Sequence, residues 1–404
     1  MPLVSLFGYF VILVMAWLLS SHKFQIPWRI LLLGTVLQFS LAVFILRTPP
    51  GGALFAGIGM VFTAILDFVD AGASFVFGPA FKDFYFAFKV LPTIIFVSAL
   101  TSILYYLGVM QFVVHGLARV MQWTLGTSAA ETLSASANIF LGQTEAPLLV
   151  KPYIDKMTLS ELNAVMVGGF ATIAGGVLAA FVGMGVDAGH LVTASVISAP
   201  AGLMIAKLML PEVEQPATLG ADTASVPRPG VNLIEAAAIG ATDGMKLALN
   251  VAAMLLVFLA LVAMLDKGVG LIGGLFSLDW SLRSGLGYAF APMAWLMGIE
   301  SKDCLHAGQL LGLKMATTEF VAYEELSRWL KPDSSVQLQP RTVAIMTYAL
   351  CGFSNFASIG VQIGGLGAMA PARQADLARL GFRAMIGGTL ACCLTACVAG
   401  ALIS

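Results

Sequence analysis

The chain has 404 residues, of which 59% are hydrophobic and 11% are charged, and its formal net charge is −1. Ordinary soluble domains have roughly 45–50% apolar and about 25% charged residues, so this composition excludes a soluble domain and predicts a protein that crosses the bilayer many times. The chain has no basic or acidic tail, which argues against nucleic acid as a partner.

Residues 1–112 are predicted to form a membrane scaffold. Three hydrophobic stretches predict transmembrane helices, at about 3–20, 30–46 and 90–112. The first stretch lacks a basic n-region and a cleavage site of small residues, so we expect it to stay uncleaved. Residues 53–80 mix apolar residues with Asp67 and Asp70, which indicates an amphipathic helix at the membrane interface.

Residues 113–210 are predicted to form the first of two transport repeats. The segment at about 118–150 is rich in small and polar residues, which indicates a re-entrant hairpin that enters and leaves on one side. Two transmembrane spans follow, at about 161–185 and 190–210. Glycine pairs interrupt the first of these spans, at Gly168-Gly169 and Gly175-Gly176. A polar, proline-rich loop at 211–231 then divides the chain into two halves.

The second half has the same order of elements. Residues 232–280 are predicted as a further scaffold helix, with a span that ends near Leu265. Residues 281–404 are predicted as the second transport repeat, with a hairpin at about 285–327. Two spans complete this repeat, at about 341–366 and 375–403. The whole pattern predicts an all-α polytopic membrane protein with about eight transmembrane helices, two re-entrant hairpins and an interfacial helix.

Short motifs recur in both halves. Thr144-Glu145, followed by G-F-A-T-I-A-G-G at 169–176, reappears as Thr318-Glu319, followed by G-F-S-N-F-A-S-I-G at 352–360. This alignment places Thr172 opposite Asn355. An inverted repeat with duplicated broken helices is typical of secondary transporters, whose binding site lies where the repeats meet.

The stretch from Asn138 to Pro152 is unusually polar for an apolar chain. It places two amides, a hydroxyl and a carboxylate within eight residues. Each such group costs several kcal/mol in hydrocarbon unless it is paired or wetted, so the stretch is expected to line a cavity enclosed by protein. Gly142 and Pro147, on either side of Gln143-Thr144-Glu145, indicate a broken or tightly turned helix.

The chain resembles the concentrative nucleoside transporters over nearly its whole length. Five stretches carry the resemblance, at 142–153, 168–175, 235–250, 318–323 and 349–360. The resemblance implies a homotrimer in the lipid bilayer that imports nucleosides such as uridine, cytidine or adenosine with a sodium ion or a proton. The chain lacks the extra N-terminal helices of the longer vertebrate-type relatives. The resemblance implies the bacterial, sodium-coupled type, which lies in the bacterial cytoplasmic (inner) membrane.

The resemblance also implies a substrate site, since a nucleoside needs hydrogen-bond acceptors and an apolar wall. On the side of the base it implies Gln143, Thr144, Glu145 and Val177. On the side of the ribose it implies Glu319, Phe353, Asn355 and Ser358.

The resemblance implies a sodium site of uncharged oxygens. Its ligands would be the side chains of Asn138 and Thr172 and the backbone carbonyls of Leu141 and Ile173. The family usually has serine where Thr172 stands, and threonine keeps the hydroxyl. A proton would instead need a group whose charge changes.

Several alternatives stay open at this level. A proton-coupled nucleoside symporter would use Glu145 or Glu319, and a transporter of another polar neutral solute would use the same hairpins. Either glutamate would have a structural role if it paired with Lys151 or Lys314. A channel would not need carboxylates duplicated in two hairpins.

An enzyme is not predicted. The chain offers neither a nucleophile with a base nor a metal-binding motif, and no cofactor other than the coupling ion is expected. The five cysteines lie mostly in apolar helical context, where packing is their expected role: Cys304, Cys351, Cys392, Cys393 and Cys397.

Overall fold

A computed structural model of the chain describes residues 1–220, 229–275 and 281–403. Regular structure within these ranges is helical, which confirms the predicted all-α class. The α-helices are α1 (Pro2–Leu18), α2 (Trp28–Arg47), α3 (Pro49–Phe77), α4 (Leu91–Tyr106), α5 (Val109–Leu125), α6 (Ala129–Ala137), α7 (Lys151–Ile154), α8 (Leu159–Ala171), α9 (Gly175–Gly183), α10 (Ala188–Met209), α11 (Leu233–Leu275), α12 (Leu282–Leu296), α13 (Ser301–Ala316), α14 (Glu319–Trp329), α15 (Pro340–Leu350), α16 (Phe356–Met369) and α17 (Gln374–Leu402).

Seven helical segments in the described ranges are long and apolar enough to cross a membrane: Trp28–Arg47, Pro49–Phe77, Phe86–Tyr106, Leu159–Gly183, Ala188–Met209, Leu233–Ile272 and Pro371–Leu402. The helix predicted to lie at the interface, at 53–80, is α3, and its length and composition also suit a span. The predicted span at 341–366 is divided between α15 and α16. Residues 221–228 of the predicted polar loop and 276–280 of the predicted scaffold helix lie outside the described residues.

Helices α8, α10 and α17 form the interior of the protein. Most of their residues are buried, and α10 and α17 pack against each other and against α1 and α2. Helix α11 instead packs along α4 and exposes most of its apolar residues. Apolar faces of this kind suit contact with lipid or with other copies of the chain.

Both predicted hairpins are shorter than expected. The helices α5 and α12 occupy their first parts as separate elements. Gly108 and Gly126 flank α5 with φ angles of 85° and 73°, which only glycine adopts readily, so helices end at both positions. Within the predicted hairpin segments, α6 packs against the 3₁₀ turn Ala146–Val150, and α13 packs against α14.

Two helices are broken, as the repeated motif predicts. The first break separates α8 from α9 at residues 172–174, and the second separates α15 from α16 at residues 351–355. The breaks lie against each other, because the backbone N–H of Phe353 donates to the carbonyl of Thr172 at 3.2 Å.

The glycine pair Gly168-Gly169 does not interrupt the helix, contrary to the prediction. Both residues lie inside α8, where the hairpin tip approaches its backbone. A Cβ atom at Gly169 would lie 2.9 Å from the Cβ of Gln143, and one at Gly168 would lie 3.3 Å from Nδ2 of Asn138. These glycines therefore provide space for the tip.

A buried polar network fixes the start of α6, at the end of the first hairpin that lies away from its tip. Ser128 and Thr158 cap α6 and α8, and their backbone N–H groups donate to Glu131 at 2.8 Å and Glu161 at 2.9 Å. The Ser128 hydroxyl donates to Glu161 at 2.5 Å, which joins the two caps. Lys207, only 2% exposed, pairs with Glu131 at 2.7 Å. The network ties the hairpin to α8 and α10.

Candidate substrate and sodium site

The tip of the first hairpin, residues 138–145, lies on the first helix break. The backbone N–H of Gly175, at the start of α9, donates to the carbonyl of Phe140 at 2.9 Å. Within the tip, the N–H of Gly142 donates to Oε2 of Glu145 at 3.1 Å. The predicted sodium ligands are thus supplied by two adjoining segments of non-helical backbone.

Asn138 is fully buried, and both its Oδ1 and its Nδ2 lack a hydrogen-bond partner among the described residues. An unpaired buried amide is costly, typically about 1–3 kcal/mol, so a ligand for its oxygen would be stabilising. The amide adjoins Gly168, whose carbonyl accepts a hydrogen bond from the Thr172 hydroxyl at 3.0 Å. Asn138 and Thr172 therefore both lie beside Gly168.

The other two predicted ligands also lie in this region. Leu141 is in the tip, and Ile173 is in the break, so both residues belong to backbone outside the α-helices. An amide, a hydroxyl and such carbonyls are uncharged oxygen donors. This donor set fits a small monovalent cation such as sodium, which transporters hold at unwound helix segments.

Four of the predicted substrate residues form a chain of hydrogen bonds between the two halves of the sequence. The amide of Asn355 donates to Oε2 of Glu319 at 2.8 Å, and its Oδ1 accepts from the backbone N–H of Ser358 at 2.9 Å. The Gln143 amide donates to the Ser358 hydroxyl at 3.2 Å. All four are buried, and Phe353 at the adjoining break is 9% exposed.

Gln362 was not predicted from the sequence. Its Nε2 donates to Oε1 of Gln143 and to the carbonyl of Met166, both at 3.1 Å, and the side chain is fully buried. A signal was present, because Asn355, Ser358 and Gln362 are spaced three and four residues apart and so share one face of α16.

Thr144 and Glu145 point to a different place from Gln143. They line a cavity of about 560 Å³ that residues of α4 and α11 complete, among them Tyr105, Asp243 and Asn250. This volume is within the range of about 300–1,000 Å³ that is typical of small-molecule sites. The predicted base-side residues are thus divided between the hydrogen-bond chain and this cavity.

Val177, the predicted apolar wall, is 1% exposed and packs in the apolar core.

Thr144 of the hairpin tip packs closely against α16, because a Cβ atom at Gly365 of α16 would lie 2.6 Å from Cγ2 of Thr144. The tip is therefore packed against α16 on one side and open to the cavity on the other.

In the part of the chain that the structure describes, neither Glu145 nor Glu319 forms an ion pair with Lys151 or Lys314. Lys151 is exposed, and Lys314 donates to the carbonyl of Ala349 at 3.0 Å. The purely structural alternative for the two glutamates is therefore not supported.

The described residues contain no group of three or more histidine, cysteine or acidic side chains that could hold a metal. The five cysteines are buried and free, in agreement with a packing role.

Known families match the chain along its length. The family model "Na+ dependent nucleoside transporter C-terminus" matches residues 190–400, and its N-terminal counterpart matches residues 7–80. A model named "Nucleoside recognition" matches residues 87–188. An uncharacterized transporter of Haemophilus influenzae is 46% identical over 99% of this chain and 97% of its own length.

Human solute carrier family 28 member 3 is 45% identical over 100% of this chain, which spans 60% of the human protein. The structure of CNTnw in an inward-facing substrate-bound state has a TM-score of 0.93 and 42% identity, covering 100% of this chain and 98% of that one. These matches confirm the resemblance seen in the motifs. The chain belongs to the Na+-dependent nucleoside transporters, a family of membrane transporters and not of enzymes.

Proposed function

We propose that this protein is a symporter that imports nucleosides and is driven by the sodium gradient. The observation that carries the proposal is the buried amide of Asn138 beside Thr172, which has no hydrogen-bond partner among the residues that the structure describes. It lies five residues from Gln143, which belongs to the hydrogen-bond chain between the proposed repeats. An ion held there would lie within the same hairpin tip that faces the substrate.

Sodium is favoured over a proton by the chemistry of the donors. Asn138 and Thr172 offer uncharged oxygens, which hold a cation but cannot take up a proton at ordinary pH. The matching family models are described as Na+ dependent, and proton coupling through Glu145 or Glu319 finds no support in them.

Binding of sodium and binding of the nucleoside would be coupled because both sites use the same backbone segment. A sodium ion at the tip and the first break would fix residues 138–142, and these residues position Gln143. The hydrogen bond from Phe353 to Thr172 would carry the same restraint to the second break, where the ribose-side residues lie. Each ligand would then favour the arrangement that binds the other, as reciprocal coupling requires.

Glu319, Asn355 and Ser358 would bind the ribose hydroxyls, and Gln143 would bind the base. In the structure these groups satisfy one another, so an entering nucleoside would replace their mutual hydrogen bonds. Thr144 and Glu145 would complete the base side from the 560 Å³ cavity. Val177 would supply apolar contact and Phe353 would pack beside the ribose.

One sodium ion is sufficient as a driving force. A monovalent cation that moves through ~100 mV releases roughly 2.3 kcal/mol. A tenfold gradient adds roughly 1.4 kcal/mol, so the two together would sustain roughly 500-fold accumulation of a neutral nucleoside.

The assembly and location follow the same reasoning. The protein is a multi-pass membrane transporter, and the bacterial relative supports the cytoplasmic (inner) membrane of a bacterium as its place. We propose a homotrimer in which α11, with its exposed apolar residues, and α4, which packs along it, belong to a fixed scaffold. The two repeats, 113–210 and 281–404, would move against it.

Uptake of radiolabelled uridine into proteoliposomes tests the proposal. We expect uptake when a sodium gradient is imposed and no uptake from a pH gradient in sodium-free buffer. Asn138→Ala should raise the half-saturating sodium concentration. Asn163→Ala, which removes another buried amide of the first repeat that donates to the carbonyl of Ala206, is the matched control and should not. Strong uptake from the pH gradient alone would contradict the proposal.

A further inference from the structure

Two buried glutamine side chains from different halves of the sequence meet at the candidate substrate site. Nε2 of Gln362, on α16, donates to Oε1 of Gln143 in the hairpin tip and to the carbonyl of Met166 in α8, both at 3.1 Å. Gln362 is fully buried, and Gln143 is 8% exposed. One NH₂ group therefore links the hairpin tip, α8 and α16.

Gly169 provides the space in which the two amides meet. A Cβ atom at this position would lie 2.8 Å from Nε2 of Gln362 and 2.9 Å from the Cβ of Gln143. A closely packed interior does not accommodate contacts this short without displacing one of the atoms. The missing side chain therefore lets both glutamines lie against the backbone of α8.

The carbonyl of Met166 determines how both amides are oriented. The oxygen and the NH₂ group of an amide occupy similar space, so the surrounding hydrogen bonds decide which of them points where. A backbone carbonyl can only accept, so the NH₂ group of Gln362 must face Met166. The same NH₂ group requires the oxygen of Gln143 to face it. If the Gln143 amide turned over, two NH₂ groups would oppose each other.

The other end of the Gln143 amide is consequently a donor. Its Nε2 donates to the Ser358 hydroxyl at 3.2 Å. A hydroxyl can donate or accept, so Ser358 would suit either orientation of Gln143 and does not determine it. A nucleoside that replaced the contact with Ser358 would still meet an N–H group of Gln143 and not its oxygen.

Packing alone does not explain an amide at position 362. Oε1 of Gln362 is buried and has no hydrogen-bond partner among the described residues, which is destabilising. An apolar side chain of similar size would fill the same space without this cost. The NH₂ group, which orients Gln143, is the part of the side chain that the contacts explain.

We infer that Gln362 is a positioning residue for base recognition, because it holds Gln143 as a hydrogen-bond donor toward the nucleobase. The site then takes nucleosides whose base presents an acceptor to the hairpin tip, either a carbonyl oxygen or an unprotonated ring nitrogen. A base with an N–H or NH₂ group at that point would oppose a second donor and bind more weakly. The inference rests on the proposed function, in which Gln143 binds the base.

Thio analogues of uridine test the donor role in the unmodified protein. In 2-thiouridine and 4-thiouridine one carbonyl oxygen is replaced by sulfur, which is a weaker acceptor. Equilibrium binding is measured on purified protein at saturating sodium. One of the two analogues should bind roughly three- to tenfold more weakly than uridine, as the loss of one neutral hydrogen bond requires. Equal affinities for all three would overturn the inference, whereas absence of uridine binding would overturn the proposed function.

Substitution of Gln362 tests whether it orients Gln143. Gln362→Met keeps a similar length and removes the NH₂ group, so Gln143 can turn over. The difference between uridine and the weaker analogue should then shrink to less than about twofold. Gln38→Met is the matched control. It removes another fully buried glutamine, which donates to the carbonyl of Ile197, and it should keep the difference.

A purely structural role predicts a different result. It would weaken the binding of uridine and of both analogues by one common factor and leave the difference between them unchanged. That outcome in a Gln362→Met protein that elutes as folded in size-exclusion chromatography would overturn the inference.

A double-mutant cycle shows whether the effect passes through Gln143. Gln143→Met alone should abolish the difference between uridine and the weaker analogue. Adding Gln362→Met to it should produce no further change in this preference, because the group that Gln362 orients is already absent. A further change in preference would mean that Gln362 acts by another route, which would contradict the assigned role.

Discussion

Replacing Glu319 by glutamine tests the ribose contact with little change in shape. In the structure Oε2 of Glu319 accepts a hydrogen bond from Asn355 at 2.8 Å, which leaves Oε1 for the ribose. Glutamine is uncharged and has an NH2 group in place of one carboxylate oxygen, so it cannot offer separate charged acceptors to Asn355 and to a ribose hydroxyl. One hydrogen bond to a charged group is therefore lost. Such a bond contributes about 1.5–3 kcal/mol, which corresponds to a roughly 10- to 150-fold weaker nucleoside affinity.

The assay is the equilibrium binding of uridine and of 2′,3′-dideoxyuridine to purified protein at saturating sodium. Glu319→Gln should weaken uridine binding by this factor and change dideoxyuridine binding much less, because the dideoxy analogue lacks the hydroxyls. Glu324→Gln on the same helix removes a carboxylate that pairs with Arg328 at 2.7 Å, and it should leave both affinities unchanged. Equal losses for the two nucleosides in Glu319→Gln would refute the reasoning.

Three further predictions concern the surrounding structure. Thr172→Ala should raise the half-saturating sodium concentration of uptake several-fold, while Thr172→Ser, which keeps the hydroxyl, should not; equal shifts would contradict a ligand role. Gln362→Leu should weaken uridine binding by about 0.5–1.5 kcal/mol, because it removes the hydrogen bond that orients Gln143, and an unchanged affinity in a binding titration would exclude this contact. Lys207→Met should lower the free energy of unfolding by about 3–5 kcal/mol, because it leaves the buried Glu131 unpaired. Thermal unfolding in detergent measures this loss, and the double variant with Glu131→Gln should recover part of it.

The positions of the helix breaks could be predicted from the sequence. The motif G-F-A-T continues to the break at Thr172, and its echo ends at Asn355, because both places concentrate polar groups that an uninterrupted apolar helix has no reason to contain. The hairpin tip was predictable for the same reason. Polar residues between Gly142 and Pro147 must lie in a protein-enclosed turn.

Other features were not predictable because they depend on side-chain direction and packing. Gln143 and Thr144 are adjacent in sequence, yet one joins the hydrogen-bond chain and the other lines the cavity, since the turn at 143–145 has no regular side-chain period. Gly169 was assigned to a helix interruption, although it lies inside α8, where a Cβ atom would clash with Gln143 and Gln362. The local sequence shows that a glycine is needed at this position, but it does not show whether the glycine provides space or flexibility.

The length of α11 has a consequence for the bilayer around the protein. At about 1.5 Å per residue its 43 residues extend for roughly 65 Å, more than twice the ~30 Å of a typical hydrocarbon core. An upright helix of this length would project far into water with apolar side chains exposed, so α11 is expected to tilt or bend in the bilayer. Asp243 and Asn250, in its first half, line the 560 Å³ cavity. The depth of the cavity in the membrane is therefore linked to acyl-chain length, and vesicles made from thin and thick lipids should transport at different rates.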